Sequence, residues 1–215
     1  MNKYKIVSLV LCIALLATLA HTTTLYKRLT EATADAVAGA PSELVMQNIL
    51  ARKSVRSFTQ QPVSQEQIDT LLRAAMAAPT GKDMRPWKFV VVNDPEAMKA
   101  LTAELPKAKM LQEAPVAIAV CGDLSVVDKD GKPSTNWTFD CSAATENLLL
   151  AAESMGLGAV WTGVYPYDER LAAVKKALNL PDHIVPLNLV PVGHPKGNPQ
   201  PKDKFDPQNI HYNQW

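Results

Sequence analysis

The chain lacks the sequence motifs of the common nucleotide-binding sites. No GxGxxG follows a strand pattern and no GxxxxGK[ST] occurs, so the sequence predicts neither a Rossmann dinucleotide site nor a P-loop. No internal repeat is visible. The formal net charge is only +1 over 215 residues. A chain with so little excess charge offers no general surface for nucleic acid, and its basic residues are better interpreted as parts of a local site.

Cysteine and histidine are too scattered for the sites that they commonly form. Cys12, Cys121 and Cys141 include no CxxC pair, which disfavours both a redox dithiol and a disulfide-dependent scaffold. Cys121 ends an apolar strand pattern and Cys141 begins a helical one, so both are expected to be buried, although a disulfide between them stays open in an oxidising compartment. No metal site is predicted, because no Cys, Asp or Glu lies at ligand spacing from His183, His194 or His211.

The N-terminal segment has the layout of a secretory signal peptide. Lys3 and Lys5 precede an apolar run from 6 to 20 that ends on small residues. The run is shorter than the roughly 20 residues preferred by a spanning helix, so no stable membrane anchor is expected after cleavage. We predict a signal peptide over residues 1–20, a linker over 21–41 and export to the periplasm or cell envelope. The alternatives are a tether through residues 6–20 and a cytoplasmic protein.

Residues 42–215 are predicted to form one domain in which helical and strand patterns alternate. Helices are predicted over 42–51, 64–78, 94–105, 140–155 and 168–178, and strands over 87–92, 115–121, 159–162 and 187–192. This order indicates an α+β or three-layer α/β/α domain. The helix over 140–155 is apolar around much of its circumference, so we expect it to pack on its own sheet and on another subunit.

Three polar loops together favour a phosphorylated planar cofactor. Residues 52–56 (RKSVR) place three cations and a hydroxyl where they can bind a phosphate. Residues 78–81 (APTG) lead to Pro86-Trp87 and can lie flat beneath an aromatic ring, and residues 201–205 (PKDKF) bring further cations. Taken alone, the first cluster is also typical of a solvated helix end. The combination of the three loops favours the cofactor site.

The remaining conspicuous side chains are assigned structural positions. Asp140 and Glu146 are interpreted as helix-face residues, and no acid/base pair is evident. Aromatic side chains in strands usually pack in a core, which we expect of Trp87, Phe89 and Trp161.

The order of these motifs resembles the nitroreductase family of FMN-dependent oxidoreductases. The motifs that carry the resemblance are residues 52–58, 78–89, 156–166 and 192–195, the last leading to 201–205, and the similarity runs from about Glu43 to Trp215. The resemblance implies a three-layer α/β/α fold with a mixed sheet flanked by helices. It also implies an intertwined homodimer with two FMN sites, each built from both subunits.

The resemblance also implies which residues bind the cofactor. Arg52 and Ser54 would hold the phosphate, Lys53 would lie near the ribityl chain, and Lys202 or Lys204 would complete the phosphate site. At the ring, Arg56 would approach N1 and O2 and tune them, and the loop with Pro79, Thr80, Gly81 and Asp83 would reach the flavin of the partner. Thr162 and Gly163 would direct backbone amides toward N5. Asp83 replaces an Asn that is frequent in the family, and an ionised carboxylate cannot donate a hydrogen bond.

The implied activity passes a hydride from NADH or NADPH through flavin N5 to an electron-poor acceptor such as a nitroaromatic or a quinone, by a ping-pong mechanism. No catalytic side chain is predicted, because the cofactor performs the chemistry and the protein positions it. Three alternatives stay open. They are an exported flavin-binding redox or carrier module with a non-nicotinamide donor, a related enzyme of flavin-dependent dehalogenation or flavin breakdown, and a helical interaction domain without cofactor.

Overall fold

The computed structural model describes residues 15–16, 18–28 and 41–215, and the chain divides into two units, residues 1–47 and 48–215. In the first unit residues 18–28 are helical, so part of the predicted linker is helix. Most of the predicted signal peptide lies outside the described residues. Within the described ranges, no helix combines the length and the apolar character needed to cross a membrane.

Five α-helices occur among residues 41–215: α1 (Pro41–Ala51), α2 (Gln65–Met76), α3 (Pro95–Glu104), α4 (Trp137–Ser154) and α5 (Asp168–Leu178). The starts of α2 and α3 follow from local capping. The Ser64 hydroxyl accepts from the Gln67 amide at 3.2 Å, and the Gln67 side chain accepts from the Ser64 amide at 2.9 Å, which is a capping box. The Asp94 carboxylate accepts from the Ala97 amide at 2.9 Å. The α4 helix begins three residues before the predicted start at Asp140.

The sheet contains β1 (Trp87–Val92), β2 (Val116–Asp123), β3 (Gly158–Ala159), β4 (Thr162–Gly163) and β5 (Ile184–Gly193). Its order is β1-β2-β5-β3, and β4 also pairs with β5. Every one of these strand pairs is antiparallel, so the predicted mixed sheet is wrong in this respect. The parallel contact is an isolated bridge between Ser54 and Ala159, because the loop after α1 meets β3 at a single position.

The predicted third strand over 159–162 is two short strands. The β3 strand pairs with the end of β5, and β4 pairs with its middle, at Leu189 and Asn188. Between them Val160 and Trp161 lie outside any strand. Trp161 is 37% exposed, so its predicted place in the core is wrong, whereas Trp87 is buried as expected.

The central strand β2 divides the core into two halves. All eight of its residues are buried. One face packs with α2 and α4 through Val116, Ile118 and Val120, and the other packs toward α3 and α5 through Ala117, Ala119 and Cys121. Two helical layers therefore enclose the sheet, which confirms the α+β class and the α/β/α layering.

The two cysteines of this core are free and buried, as predicted for small apolar side chains. They lie in opposite halves of the core, and the Cys141 thiol donates to the Cys121 carbonyl at 3.4 Å. Burial raises the pKa of each thiol to about 12. Neither thiol has the low pKa of a reactive cysteine.

Candidate functional site

The basic loop after α1 is fixed against α4 and β3. The Arg52 guanidinium Nε lies 3.1 Å from Glu146 Oε1, and the Lys53 ammonium lies 2.6 Å from Glu153 Oε1. The Val55 amide donates to the Ala159 carbonyl at 3.0 Å. Two of the predicted cofactor-binding cations are thus oriented by carboxylates on one helix, and the backbone that follows them is paired with the sheet edge.

The loop comes this close to the sheet because residue 158 is glycine. The Val55 side chain is 2% exposed and lies against the Gly158 backbone. A Cβ atom at residue 158 would lie only 2.6 Å from Val55 Cγ1. By contrast, Ser54 and Arg56, on either side of Val55, are exposed.

The far end of the basic loop pairs with the start of the C-terminal tail. The Thr59 amide donates to the His194 carbonyl at 2.9 Å, and the Lys196 amide donates to the Ser57 carbonyl at 3.0 Å. Lys202 and Lys204 follow in this tail with exposed side chains. Within residues 41–215 neither lysine has a hydrogen bond or ion pair to the basic loop, so their predicted part in phosphate binding stays a prediction.

Thr162 and Gly163 in β4 line a cleft of about 620 Å³ between the chain after α3 and the start of α5. The Gly163 carbonyl accepts from Arg170 Nη1 at 2.8 Å, and the Arg170 guanidinium lies 4.3 Å from the centroid of the Tyr167 ring. A Cβ atom at Gly163 would make ordinary van der Waals contact with Trp161 Nε1 at 3.9 Å and Tyr167 Cε2 at 4.0 Å, so no side chain crowds this glycine. The Thr162 hydroxyl is buried and has no hydrogen-bond partner among the described residues.

The second predicted loop, residues 79–85, is held by carboxylates. The Gly81 amide donates to Asp140 Oδ1 at 2.9 Å, and the Lys82 ammonium lies 2.6 Å from Asp128 Oδ2. Within the loop, Arg85 binds Asp83 through two hydrogen bonds of 2.7 and 2.6 Å. The hydrogen bond from Arg85 holds the pKa of Asp83 below its usual range, so Asp83 is ionised at neutral pH and accepts rather than donates.

The structure brings the basic loop and the β3–β4 segment together. Within one chain, the loop of residues 79–85 is anchored elsewhere on α4. The basic loop meets β3 at Ala159, only a few residues before Gly163. The second loop meets α4 at Asp140, whereas Lys53 meets the same helix at Glu153. Thirteen helical residues correspond to about 20 Å along the axis. The loop at Gly81 and the cation at Lys53 are therefore anchored at opposite ends of α4.

Several anchoring residues were not identified as such from the sequence. Asp140, interpreted there as a helix-face residue, is 5% exposed and binds Gly81. Glu146 and Glu153 are seven residues apart, two helical turns, which places them on one face of α4 and is the one signal that could have indicated a common role. Arg170 carried no signal, because its contact with Gly163 depends on how α5 packs beside β4.

The fold and these loops define a class of protein: an α+β domain with a basic loop fixed at the β3–β4 edge of its sheet. The chain belongs to the nitroreductase family, whose model matches residues 49–107 and 100–194. A curated relative from Methanothermobacter thermautotrophicus, named as an NADH dehydrogenase/NAD(P)H nitroreductase, is 42% identical over 171 residues, which is 80% of this chain and 87% of the relative.

Solved structures agree with the family assignment. A crystal structure from Parabacteroides distasonis, also named as an NADH dehydrogenase/NAD(P)H nitroreductase, is 53% identical with a TM-score of 0.75 and matches 80% of this chain and 99% of its own. The NADPH:FMN oxidoreductase of Vibrio harveyi, complexed with NAD+, is 30% identical with a TM-score of 0.70 and matches 80% and 77% of the two chains. The family predicted from the motifs is therefore confirmed.

Proposed function

We propose that this protein is an FMN-dependent oxidoreductase that takes electrons from NADH or NADPH and reduces an electron-poor small molecule, such as a nitroaromatic or a quinone. The observation that carries the proposal is the pairing of Val55 with Ala159 at 3.0 Å, which holds the exposed Ser54 and Arg56 beside the strand that leads to Gly163. The candidate phosphate-binding loop and the Thr162–Gly163 backbone thereby lie at one edge of the sheet. The name of the Vibrio harveyi relative, an NADPH:FMN oxidoreductase, supports the same reaction class.

The residues present fit such a cofactor. Arg52 uses its Nε for Glu146, and its other guanidinium N–H groups stay available for phosphate oxygens. The Ser54 hydroxyl and the Arg56 guanidinium have no carboxylate partner within residues 41–215. The lack of a side chain at Gly163 lets a flat ring approach the backbone there, and the orphaned hydroxyl belongs to the adjacent residue, Thr162. The donor set is therefore that of a site for a phosphorylated ring.

Bound FMN would supply the two-electron chemistry. Arg56 would stabilise negative charge at the N1 and O2 edge of the ring, since a fixed guanidinium interacts more strongly with the charged form than with the neutral one. Gly163 would let the backbone approach the opposite edge. The side chains along one cleft would bind donor and acceptor in turn, which predicts ping-pong kinetics.

We further propose that the working unit is a homodimer. The loop at Gly81 is anchored about 20 Å along α4 from the anchor of Lys53, and about 9 Å from that of Arg52, and the proposal is that a second copy supplies this loop to the cofactor. Large apolar side chains are exposed in the same unit, including Ile49, Leu50, Phe139, Tyr212 and Trp215. A second copy of the chain that covers them would remove apolar surface from water. Sedimentation velocity of the purified protein at micromolar concentration should give twice the mass of the chain, and a monomer would contradict the proposal.

Export remains part of the proposal because the basic start and apolar run of residues 1–20 have the order of a signal peptide. Mass spectrometry of the protein from fractionated cells should find a new N-terminus near residue 21 in the periplasmic or envelope fraction. A chain that starts at Met1 in the cytoplasmic fraction would contradict export, and one that starts at Met1 in the membrane fraction would indicate a tether.

The experiment that tests the reaction is an anaerobic absorbance spectrum before and after addition of NADH or NADPH. Yellow protein that bleaches and then recovers on addition of a nitroaromatic or quinone would support the oxidoreductase, and parallel double-reciprocal plots would support the ping-pong order. If neither NADH nor NADPH bleaches the yellow protein, the result would instead favour an exported redox module with another donor. Colourless protein that does not bind added FMN would contradict the proposed function.

A further inference from the structure

The loop of residues 80–85 has an unfavourable backbone conformation that external contacts must maintain. Lys82, Asp83 and Arg85 all have positive φ, at 54°, 55° and 49°. Residues other than glycine rarely adopt this region, because their Cβ approaches the neighbouring carbonyl. Three such residues within four positions would relax if the loop were free, so the groups that hold it decide its shape.

Two carboxylates outside the loop contact it, and they differ in strength. The Asp128 side chain is only 6% exposed, but the Lys82 side chain that pairs with it is 70% exposed, and holding a long, solvated lysine in one geometry costs side-chain entropy and leaves the pair partly screened by water. The Gly81 amide, in contrast, donates to Asp140, which is 5% exposed. A hydrogen bond from a backbone amide to a buried carboxylate is charge-assisted and little screened by water. Asp140 is therefore a stronger anchor of the loop than Asp128.

Asp140 is poorly suited to a purely stabilising role. Its Oδ1 accepts from Gly81, but its Oδ2 is buried without a hydrogen-bond partner among the described residues. Burying a charged oxygen without a partner is unfavourable. Its position in the first turn of α4, where the helix dipole favours negative charge, offsets part of that cost.

We propose that Asp140 is a positioning residue: by accepting the Gly81 amide at Oδ1 it fixes the conformation of residues 80–85 and thereby presents this loop to the cofactor bound by the partner subunit. The cofactor part of this inference rests on the proposed function. The anchoring part rests on the hydrogen bond between the two residues and does not depend on the cofactor.

The test compares Asp140→Ala and Asp140→Asn with Asp94→Ala in the full chain. Asparagine keeps an acceptor for Gly81, whereas alanine removes it. Asp94 is the matched control, because it also accepts one backbone amide at 2.9 Å, but at the start of α3. The first readout is hydrogen exchange of the Gly81 amide in protein without cofactor. The second set is the Kd for FMN, the visible circular dichroism of the bound flavin, and kcat and KM measured separately.

Asp140→Ala is expected to speed Gly81 exchange and to raise the Kd for FMN, each by about tenfold or more, the size expected from loss of one charge-assisted hydrogen bond. It should also change the flavin dichroism. Asp140→Asn should change both values clearly less than Asp140→Ala does, since its carbonyl oxygen can still accept from Gly81 although without the charge. Asp94→Ala should leave Gly81 exchange and the flavin dichroism unchanged.

Unchanged Gly81 exchange in Asp140→Ala would overturn the anchor, and an asparagine variant as impaired as the alanine variant would overturn the acceptor role. If Asp140→Ala does not fold, Asp140→Ser replaces it, because the serine hydroxyl is too short to reach Gly81, and the same readouts decide. Lack of FMN binding by the unmodified protein would contradict the proposed function and the cofactor part together. Gly81 exchange would then still decide the anchor.

Discussion

Arg52 Nε lies 3.1 Å from Glu146 Oε1, so a carboxylate of α4 already orients the first cation of the basic loop. The Arg52 side chain is 19% exposed, whereas that of Glu146 is 50% exposed. The Arg52 guanidinium is thus mostly enclosed by protein, and its attraction to the half-exposed Glu146 carboxylate is partly screened by water. Such an arrangement fixes direction at modest electrostatic cost and leaves guanidinium N–H groups for a second anion.

Replacing Arg52 by alanine should weaken FMN binding more than riboflavin binding. The lost phosphate contact is charge-assisted and contributes roughly 1.5–3 kcal/mol, or about 10- to 150-fold in Kd. Isothermal titration with both ligands separates the phosphate from the ring, because riboflavin lacks the phosphate. The control is Glu146→Gln, which keeps an acceptor for Arg52 and should bind FMN at least as tightly as the unmodified protein. Full FMN occupancy in Arg52→Ala would show that the phosphate lies elsewhere.

Replacing Arg56 by alanine should lower the reduction potential of the bound flavin while FMN affinity changes less than in Arg52→Ala. A guanidinium near N1 and O2 favours the reduced, negatively charged form, and its removal withdraws that preference. Anaerobic titration against a reference dye measures the potential. Arg73→Ala, an exposed arginine in the last turn of α2, is the control and should leave the potential unchanged. An unaltered potential in Arg56→Ala would exclude Arg56 from the ring edge.

Cys121 and Cys141 should resist alkylation in the folded protein. With a pKa of about 12 for each thiol, the thiolate fraction at pH 8 is on the order of 10³-fold below that of an ordinary cysteine, and burial restricts access further. Iodoacetamide labelling followed by peptide mass spectrometry should find both unmodified in native protein and both labelled in denaturant. Rapid labelling of the native protein would contradict the buried positions.

The ion pair between Lys82 and Asp128 should contribute to stability only above the titration range of its carboxylate. In the folded protein the pKa of Asp128 lies below its ordinary value. The hydrogen bond from the Lys82 side chain is the largest cause, and the hydrogen bond from the Lys132 amide is the next largest. A carboxylate with a depressed folded pKa contributes above its unfolded pKa of about 3.9, and loses that contribution as the pH falls through the folded value. The Tm difference between the unmodified protein and Asp128→Asn should be constant from about pH 5 to 7 and shrink below about pH 4. A difference that persists at pH 3 would contradict this assignment.

Gly158→Ala should destabilise the protein and disturb the basic loop together. The added Cβ would lie 2.6 Å from Val55 Cγ1 and 2.7 Å from Val55 Cβ, so the loop or β3 must shift. Overpacking of this kind typically costs about 1–3 kcal/mol. Denaturant unfolding measures the stability and FMN titration measures the site. Gly131→Ala is the control for FMN affinity: a Cβ there meets nothing within 4 Å, and its positive φ costs stability through the backbone, so this variant should lose stability without weakening FMN binding. Equal stability and FMN affinity in Gly158→Ala and the unmodified protein would contradict the close approach.

Local chemistry explains what could be predicted of the fold. The Ser64 and Gln67 capping box and the Asp94 cap lie within a few residues of the helices that they start, so the sequence contains all of the interacting groups. The continuous apolar run over 115–121 and the helical patterns on either side of it likewise predicted a sheet between helical layers. The direction of strand pairing was not predictable in this way, because it depends on which distant strand lies beside β2.

The candidate site also has features that the sequence predicts and features that only tertiary contacts decide. The residue types of the basic loop, the glycines of the sheet edge and the order of the motifs are properties of the sequence, and they sufficed to indicate the family and the cofactor class. Tertiary structure alone decided that Glu146 and Glu153 orient the basic loop, that Asp140 accepts from Gly81, and that the second loop stands at the other end of α4. These contacts join residues 59 to 100 positions apart. They form only when packing of the apolar faces brings the helix, the loops and the sheet edge together, and no local pattern encodes which partner each charge will meet.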